Sequence, residues 1–402
     1  MAKIRYTISE KADEKVQRDM DIIKGIIAKK IKPESIILFG GFGRGEGSFE
    51  IRNGKIMPLN DYDMYVITKS KISDKTLDEV GKECSKAIGR GGNEFYETPL
   101  EIYDKNRFFH VDLRCITISE LARLKKINRT YELKHSSNVI YGKDLRNKIK
   151  DFEMPISEAF RYLMNPACQL LVCMDSRRLK GRFRKDEKFY AMHHINKVYL
   201  SCASALLISA KKFQPTYRGT NKIFRKIYSK KFPKLAGKLD EAIKFKLNPE
   251  RKLKGNITKE WLEARDILTE TLQYLAEKHL GIKAENIEEL TKKIHKKLPF
   301  VYFTPYMPFG FFSKFLFPAQ YFLNMLYFNR ARHFPVLLSW RDAGIRIFIA
   351  ALLLLHALKN KALLEKSNGY IRDFAPVKSA SWENLRASLL YAYDKYFSQK
   401  LI

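Results

Sequence analysis

The character of the repeat changes once along this chain, near residue 155, and that change limits the folds available to it. Before it, strand-like and helix-like runs alternate; after it, only helical periodicity remains. Residues 10–31 place Val16, Met20, Ile23, Ile27 and Ile31 at helical spacing, and Pro33 stops the helix. "SIILFG" reads as a buried strand from Ser35 to Phe39, closed by glycine. "FEIRNGKIMP" carries Asn53-Gly54 between short apolar runs, a strong hairpin signal. "DYDMYVI" is the next strand, and residues 74–88 are helical in pattern. "PLEIYDKNRFFHVDLRCI" reads as two strands joined by a turn at Lys105–Asn106. Beyond residue 155, "PISEAFRYLMNPACQLLVCMDSRRL", "KFYAMHHINKVYLSCASALLISAKKF", "NKIFRKIYSKKF" and "TKEWLEARDILTETLQYLAEKHLG" all follow the helical period. The expectation is an α+β protein. Residues 1–150 form a mixed α/β domain with a small mixed sheet, 151–285 a helical bundle, and 286–402 an aromatic-rich helical C-terminal region. Basic "SRRLKGRFRKDEK" between two helices is expected to be a solvated loop.

Charge is the compositional outlier. Lys plus Arg is 75 against 44 acids, a net +31 over 402 residues. Such a field attracts polyanions: nucleic acid, anionic lipid or a phosphorylated substrate. Solvated basic faces would give the same composition. Hydrophobic content of 45%, with 13% aromatics, excludes a disordered chain. Cys84, Cys115, Cys168, Cys173 and Cys202 form no CxxC pair, so buried thiols are expected rather than disulfides or a zinc site. The N-terminal "MAKIRYTISEKADEK" lacks a secretory apolar core. The longest strictly apolar run, Ile347 to Leu355, falls short of the ~18–20 residues that span a bilayer. A cytoplasmic protein is expected, with one reservation. Thirteen of the 29 positions from Phe300 to Phe328 are aromatic, and four prolines counting Pro299 break the segment. It reads as a kinked stretch packed on the bundle or in a dimer interface. The sharper alternative is peripheral membrane contact through residues 298–328.

The chemistry gathers in residues 37–66 and 108–116. A strand ending in Gly-Gly turns with positive φ, and the N–H groups that follow can meet an anion. "GGFGRGE" fits such a turn, with Arg44 adding charge or bracing it, yet it is neither GxGxxG nor a Walker loop. In "DYDMYV", Asp61 and Asp63 share one strand face while Tyr62 and Met64 take the other. Two like charges side by side call for a cation, and hard oxygen ligands suit Mg²⁺. In "FFHVDLRCI", Phe109, Val111, Leu113 and Cys115 form one face, and His110, Asp112 and Arg114 the other. Asp112, an acid within an apolar strand, needs a partner. Arg114 or a neighbouring strand supplies one reading. A site shared with Asp61 and Asp63 supplies the other, and it fits two-metal phosphoryl or nucleotidyl transfer.

Taken together, "LFGGFGRGE", "DYDMYV" and "HVDLRC" resemble the nucleotidyltransferase superfamily of the DNA polymerase β type, near its aminoglycoside and minimal nucleotidyltransferases. Gly40 and Gly41 match the signature pair, Arg44, Gly45 and Glu46 the "ARGE" continuation, Asp61 and Asp63 the metal pair, and Asp112 the third acid. Nineteen residues separate Gly41 from Asp61, more than the family usually has, and the excess coincides with the expected hairpin. The resemblance covers residues 20–145 and extends loosely to about 280. It implies Mg²⁺ on Asp61 and Asp63, and an NTP, with ATP first, whose β and γ phosphates rest on the Gly40–Gly41 turn. Asp112 would take a metal or the acceptor's proton, and Lys197 would reach the triphosphate. The implied activity is transfer of an NMP to a hydroxyl-bearing acceptor with release of pyrophosphate. The competing readings are a transferase acting on RNA ends, and a non-catalytic binding or membrane-surface scaffold.

Weaker signals are Tyr217 and Arg218 in "QPTYRG", either facing the cleft or lying in an exposed loop, and His193-His194, a poor chelate because helical neighbours diverge. "RTYELKH", Arg129 to His135, fits the loose R-x(4–6)-H string of HEPN ribonucleases, a pattern common by chance.

Overall fold

A computed structural model describes residues 4–52, 54–91, 109–184, 186–249, 253, 255–302, 343–372, 377 and 379–398. The chain divides into two compact units. The first comprises Met1–Met154, Phe213–Ser229 and Leu239–Lys252, and the second Pro155–Lys212, Lys230–Lys238 and Leu253–Ile402. The chain therefore leaves the first unit near the change of periodicity and re-enters it twice.

The first unit opens with α1 (Glu10–Ile31) and β1 (Ser35–Phe39), then a single turn, α2 (Gly40–Gly43). The hairpin β2 (Phe49–Arg52) and β3 (Lys55–Pro58) follows, with Gly54 at φ +72° in its turn. Next come β4 (Tyr62–Thr68), α3 (Asp74–Ala87), β5 (Val111–Thr117), α4 (Asn128–His135) and β6 (Asn138–Gly142). The expected hairpin thus forms a two-stranded sheet of its own, inserted between α2 and β4. The four-stranded sheet has the order β5-β4-β1-β6. β4 and β5 are parallel; β1 is antiparallel to both β4 and β6. Alternation along these strands sends Ile36, Leu38, Tyr62, Met64, Val66, Val111 and Leu113 into a core shared with α1 and α3. Ile37, Phe39, Tyr65, Ile67 and Ile116 face the other way and pack with Leu121, Leu133 and Leu145. Residues 99–108, read as a strand and turn, lie outside the described residues.

The second unit is helical among its described residues. It contains α5 (Ile156–Val172), α6 (Ser176–Leu179) and α7 (Glu187–Ser209), and later α10 (Ile257–Leu280), α11 (Ile287–Tyr302), α12 (Ala343–His356), α13 (Lys361–Ile371) and α14 (Trp382–Ser398). Between them in sequence lie α8 (Tyr217–Tyr228), which belongs to the first unit, and α9 (Pro233–Leu247). α5 and α7 pack along each other, and the Trp261 indole of α10 donates to the Leu170 carbonyl at 2.8 Å. The expected solvated loop differs from the structure. Arg178 is buried there, and Arg177 and Arg178 both pair with Glu187, because a charge withdrawn from water must find its opposite. All five cysteines are free and buried, as expected. The apolar run ending at Leu355 is core on α12. Residues 303–342, most of the aromatic segment, lie outside the described residues. Among the described residues no helix is long and apolar enough to cross a membrane.

Candidate functional site

Strand register brings two of the three aspartates together. β4 and β5 pair in parallel so that Asp63 stands directly opposite Asp112, while Phe39 at the end of β1 pairs with Asp63 from the other side. Tyr62, Met64, Val111 and Leu113 point into the first core, so by strand alternation Asp63 and Asp112 share the opposite face. Asp61 lies just before β4 and contributes its charge to the same neighbourhood.

That crowding shows in the acidity of Asp63. Desolvation first, and then the Asp112 and Asp61 carboxylates, push its carboxyl up to about 7; Arg129 and Arg114 oppose the rise. The outer two carboxylates take local partners. Arg114 donates Nε and Nη2 to the same oxygen of Asp112, Oδ2, at 3.0 and 2.7 Å. Asp61 Oδ1 accepts the His110 amide at 3.3 Å, with His110 Nδ1 3.7 Å away. No described residue donates a hydrogen bond to Asp63. In this arrangement no three His, Cys, Asp or Glu side chains among the described residues form a ligating group. A carboxylate crowded by two others and lacking a donor fits a hard cation by its chemistry.

The glycine turn abuts this cluster. Gly40 has φ +67°, and a Cβ placed there would lie 2.6 Å from Asp63 Oδ2. Glycine is thus required twice over, by the backbone and by the aspartate beside it. Gly41 starts the return: its carbonyl accepts the Glu46 amide at 2.8 Å.

Arg44 is turned into the protein. Its Nε lies 3.3 Å from Glu46, its Nη1 3.3 Å from Glu132 on α4, and its guanidinium stacks 4.7 Å from the Tyr217 ring centroid. Glu46, itself buried, accepts the backbone N–H groups of Tyr217 and Arg218 at 2.7 and 3.1 Å. Those are free donors at the start of α8, and a carboxylate there satisfies them and meets the positive end of the helix. Of the two roles read for Arg44, the geometry therefore supplies the brace, joining the glycine turn, α4 and α8. Tyr217 and Arg218 open a helix rather than a loop. Lys197 belongs to α7 in the second unit.

One residue of this neighbourhood had no signal in the sequence that tied it to the aspartates. Arg129, in the first turn of α4, is exposed and within electrostatic reach of Asp63 and Tyr65. Its side chain has no partner among the described residues, unlike Arg44 and Arg114. It stands in the R-x(4–6)-H string, but that pattern says nothing of a strand that precedes it by some sixty residues.

No protein-family model matches the sequence, and no curated protein matches it significantly.

Proposed function

We propose that this protein is a nucleotidyltransferase, moving an NMP from an NTP, with ATP the first candidate, to a hydroxyl-bearing acceptor. The observation that carries the reading is the parallel pairing of Asp63 with Asp112, with Asp63 also within electrostatic reach of Asp61 and against the Gly40 turn. In this reading the acceptor oxygen attacks the α-phosphorus, the bond from that phosphorus to the bridging oxygen breaks, and pyrophosphate leaves with the bond electrons. Asp61 and Asp63 are the residues that would hold Mg²⁺, which when bound neutralises the triphosphate and stabilises charge on the reacting phosphorus. Asp112 has Oδ1 available to take the acceptor's proton, since Arg114 occupies only Oδ2. The Gly40–Gly41 turn presents backbone without side chains to the β and γ phosphates. Arg129 supplies the cation that the local ion pairs have not consumed.

The test follows α-phosphate label from an NTP to acceptors in the presence of Mg²⁺. Transfer by the wild type, and its loss in Asp61→Asn and Asp63→Asn, is the expected result. Undiminished transfer in both variants overturns the reading.

A further inference from the structure

A row of basic side chains runs along α8. Along this helix Thr220, Phe224 and Tyr228 are buried, one turn apart. Arg218, Lys222 and Lys226 are exposed, also one turn apart, and offset from the buried row by two residues. Two residues are about 200° of helix, so the basic row lies opposite the buried one. Its members are spaced at about 6 Å along the axis. α8 contains no acidic residue. Of the acids that approach it, Asp240 is taken by Arg225 and Asn221, both at 2.6 Å, and Glu46 by Arg44 and the backbone of the first turn. Arg218, Lys222 and Lys226 have no ion-pair partner among the described residues. The first turn of α8 is fixed by Glu46, six residues after Gly40, so the row starts near the candidate site and lies within the same unit.

We propose that this row binds the phosphodiester backbone of a nucleic-acid strand, making a strand the acceptor class. The second clause rests on the nucleotidyltransferase reading; the first does not. A strand suits the feature because a line of fixed point charges follows a line of phosphates and reads no base. A lipid surface suits it less: a helix lying on a membrane offers it an apolar face, and on α8 Thr220, Phe224 and Tyr228 of that face are buried.

The experiment measures binding of labelled single-stranded RNA and DNA oligonucleotides to the full chain across a salt series, with no NTP present. Each single-strand phosphate contact contributes about 0.7 to the slope of log K against log salt, so Arg218→Gln/Lys222→Gln/Lys226→Gln should lower the slope by about 2 and weaken binding about tenfold or more. A Lys222→Gln/Lys226→Gln double variant, which leaves the Glu46-held first turn alone, should lower it by about 1.4. Removing the same charge elsewhere on the unit, at exposed Lys55, Lys75 and Lys86, should leave the slope unchanged. An unchanged slope in the α8 variants, or an equal loss in the control, overturns the proposal. So does loss of binding to phosphatidylserine vesicles with strand binding intact, which would assign the row to lipid. Comparison of RNA with DNA identifies which strand is preferred. Asp63→Asn should bind strands like the wild type while failing to label them. Strand binding that depends on α8, without label transfer by any form of the protein, would remove the transfer reading and keep the surface.

Discussion

Asp63 on β4 and Asp112 on β5 occupy the same register position of two parallel strands, and desolvation with this pairing holds a proton on Asp63 far above the usual carboxylate range. Parallel strands carry their facing residues on the same side of the sheet. The repulsion is therefore built into the backbone hydrogen bonding and side-chain rotation relieves only part of it.

The first prediction concerns pH. The folded-state value of about 7 stands above the ordinary 3.8, so between those values the folded chain holds a proton that the unfolded chain has released. The contribution to stability is therefore complete below the lower value and declines as pH rises through the upper one. In chelator-treated buffer, urea denaturation should show wild type losing stability relative to Asp63→Asn between about pH 4 and about pH 7. Mg²⁺ added above that window should raise the melting temperature of the wild type more than that of the variant. Parallel pH profiles for the two proteins would contradict the assignment.

Gly40→Ala tests the turn. A left-handed backbone costs a residue with a Cβ about 1–2 kcal/mol, and the added carbon would press on Asp63 Oδ2. Chemical denaturation should show a loss of that size. Label transfer and Mg²⁺-dependent stabilisation should both fall, because the aspartate must swing aside. An alanine variant with full transfer would show that the close approach has no functional weight.

Glu46 is expected to matter for stability rather than chemistry. Its carboxylate pairs with the largely covered Arg44 side chain and satisfies two N–H groups of α8 at once. Glu46→Ala leaves that cation short of a partner and should cost about 3–5 kcal/mol. Glu46→Gln keeps an acceptor for the helix and should cost less. Denaturation midpoints of the two variants check the order.

Arg129→Ala should behave in the opposite way. As an exposed side chain with no described partner, it should change stability by less than about 0.5 kcal/mol. The loss of one charged contact should raise KM for the NTP about tenfold or more, with a smaller effect on kcat. Steady-state kinetics with varied NTP separates these; an unchanged KM assigns Arg129 to solvent.

Much of the fold was legible in sequence because its signals are local. Periodicity places α1, β1, β4 and α3, and Asn53-Gly54 marks a hairpin without reference to anything distant. The face assignments of β5, with Val111 and Leu113 inward and Asp112 and Arg114 opposite, follow from alternation alone. The candidate site residues Gly40, Asp61, Asp63 and Asp112 were legible by pattern, since each lies beside a recognisable strand end or strand centre. Which partner each charge would find was not legible. Arg44 reads equally as ligand or brace until Glu132 and Tyr217, 88 and 173 residues later, close around it. Arg178 reads as solvated until Glu187 meets it. Sequence alone determined the elements and the positions of the acids, because backbone preference and alternation act over a few residues. Tertiary structure decided the parallel register of Asp63 with Asp112, the commitment of Arg44, the availability of Arg129 and the exposed basic row of α8. Those depend on which distant charges desolvation forces together, and no local pattern records that.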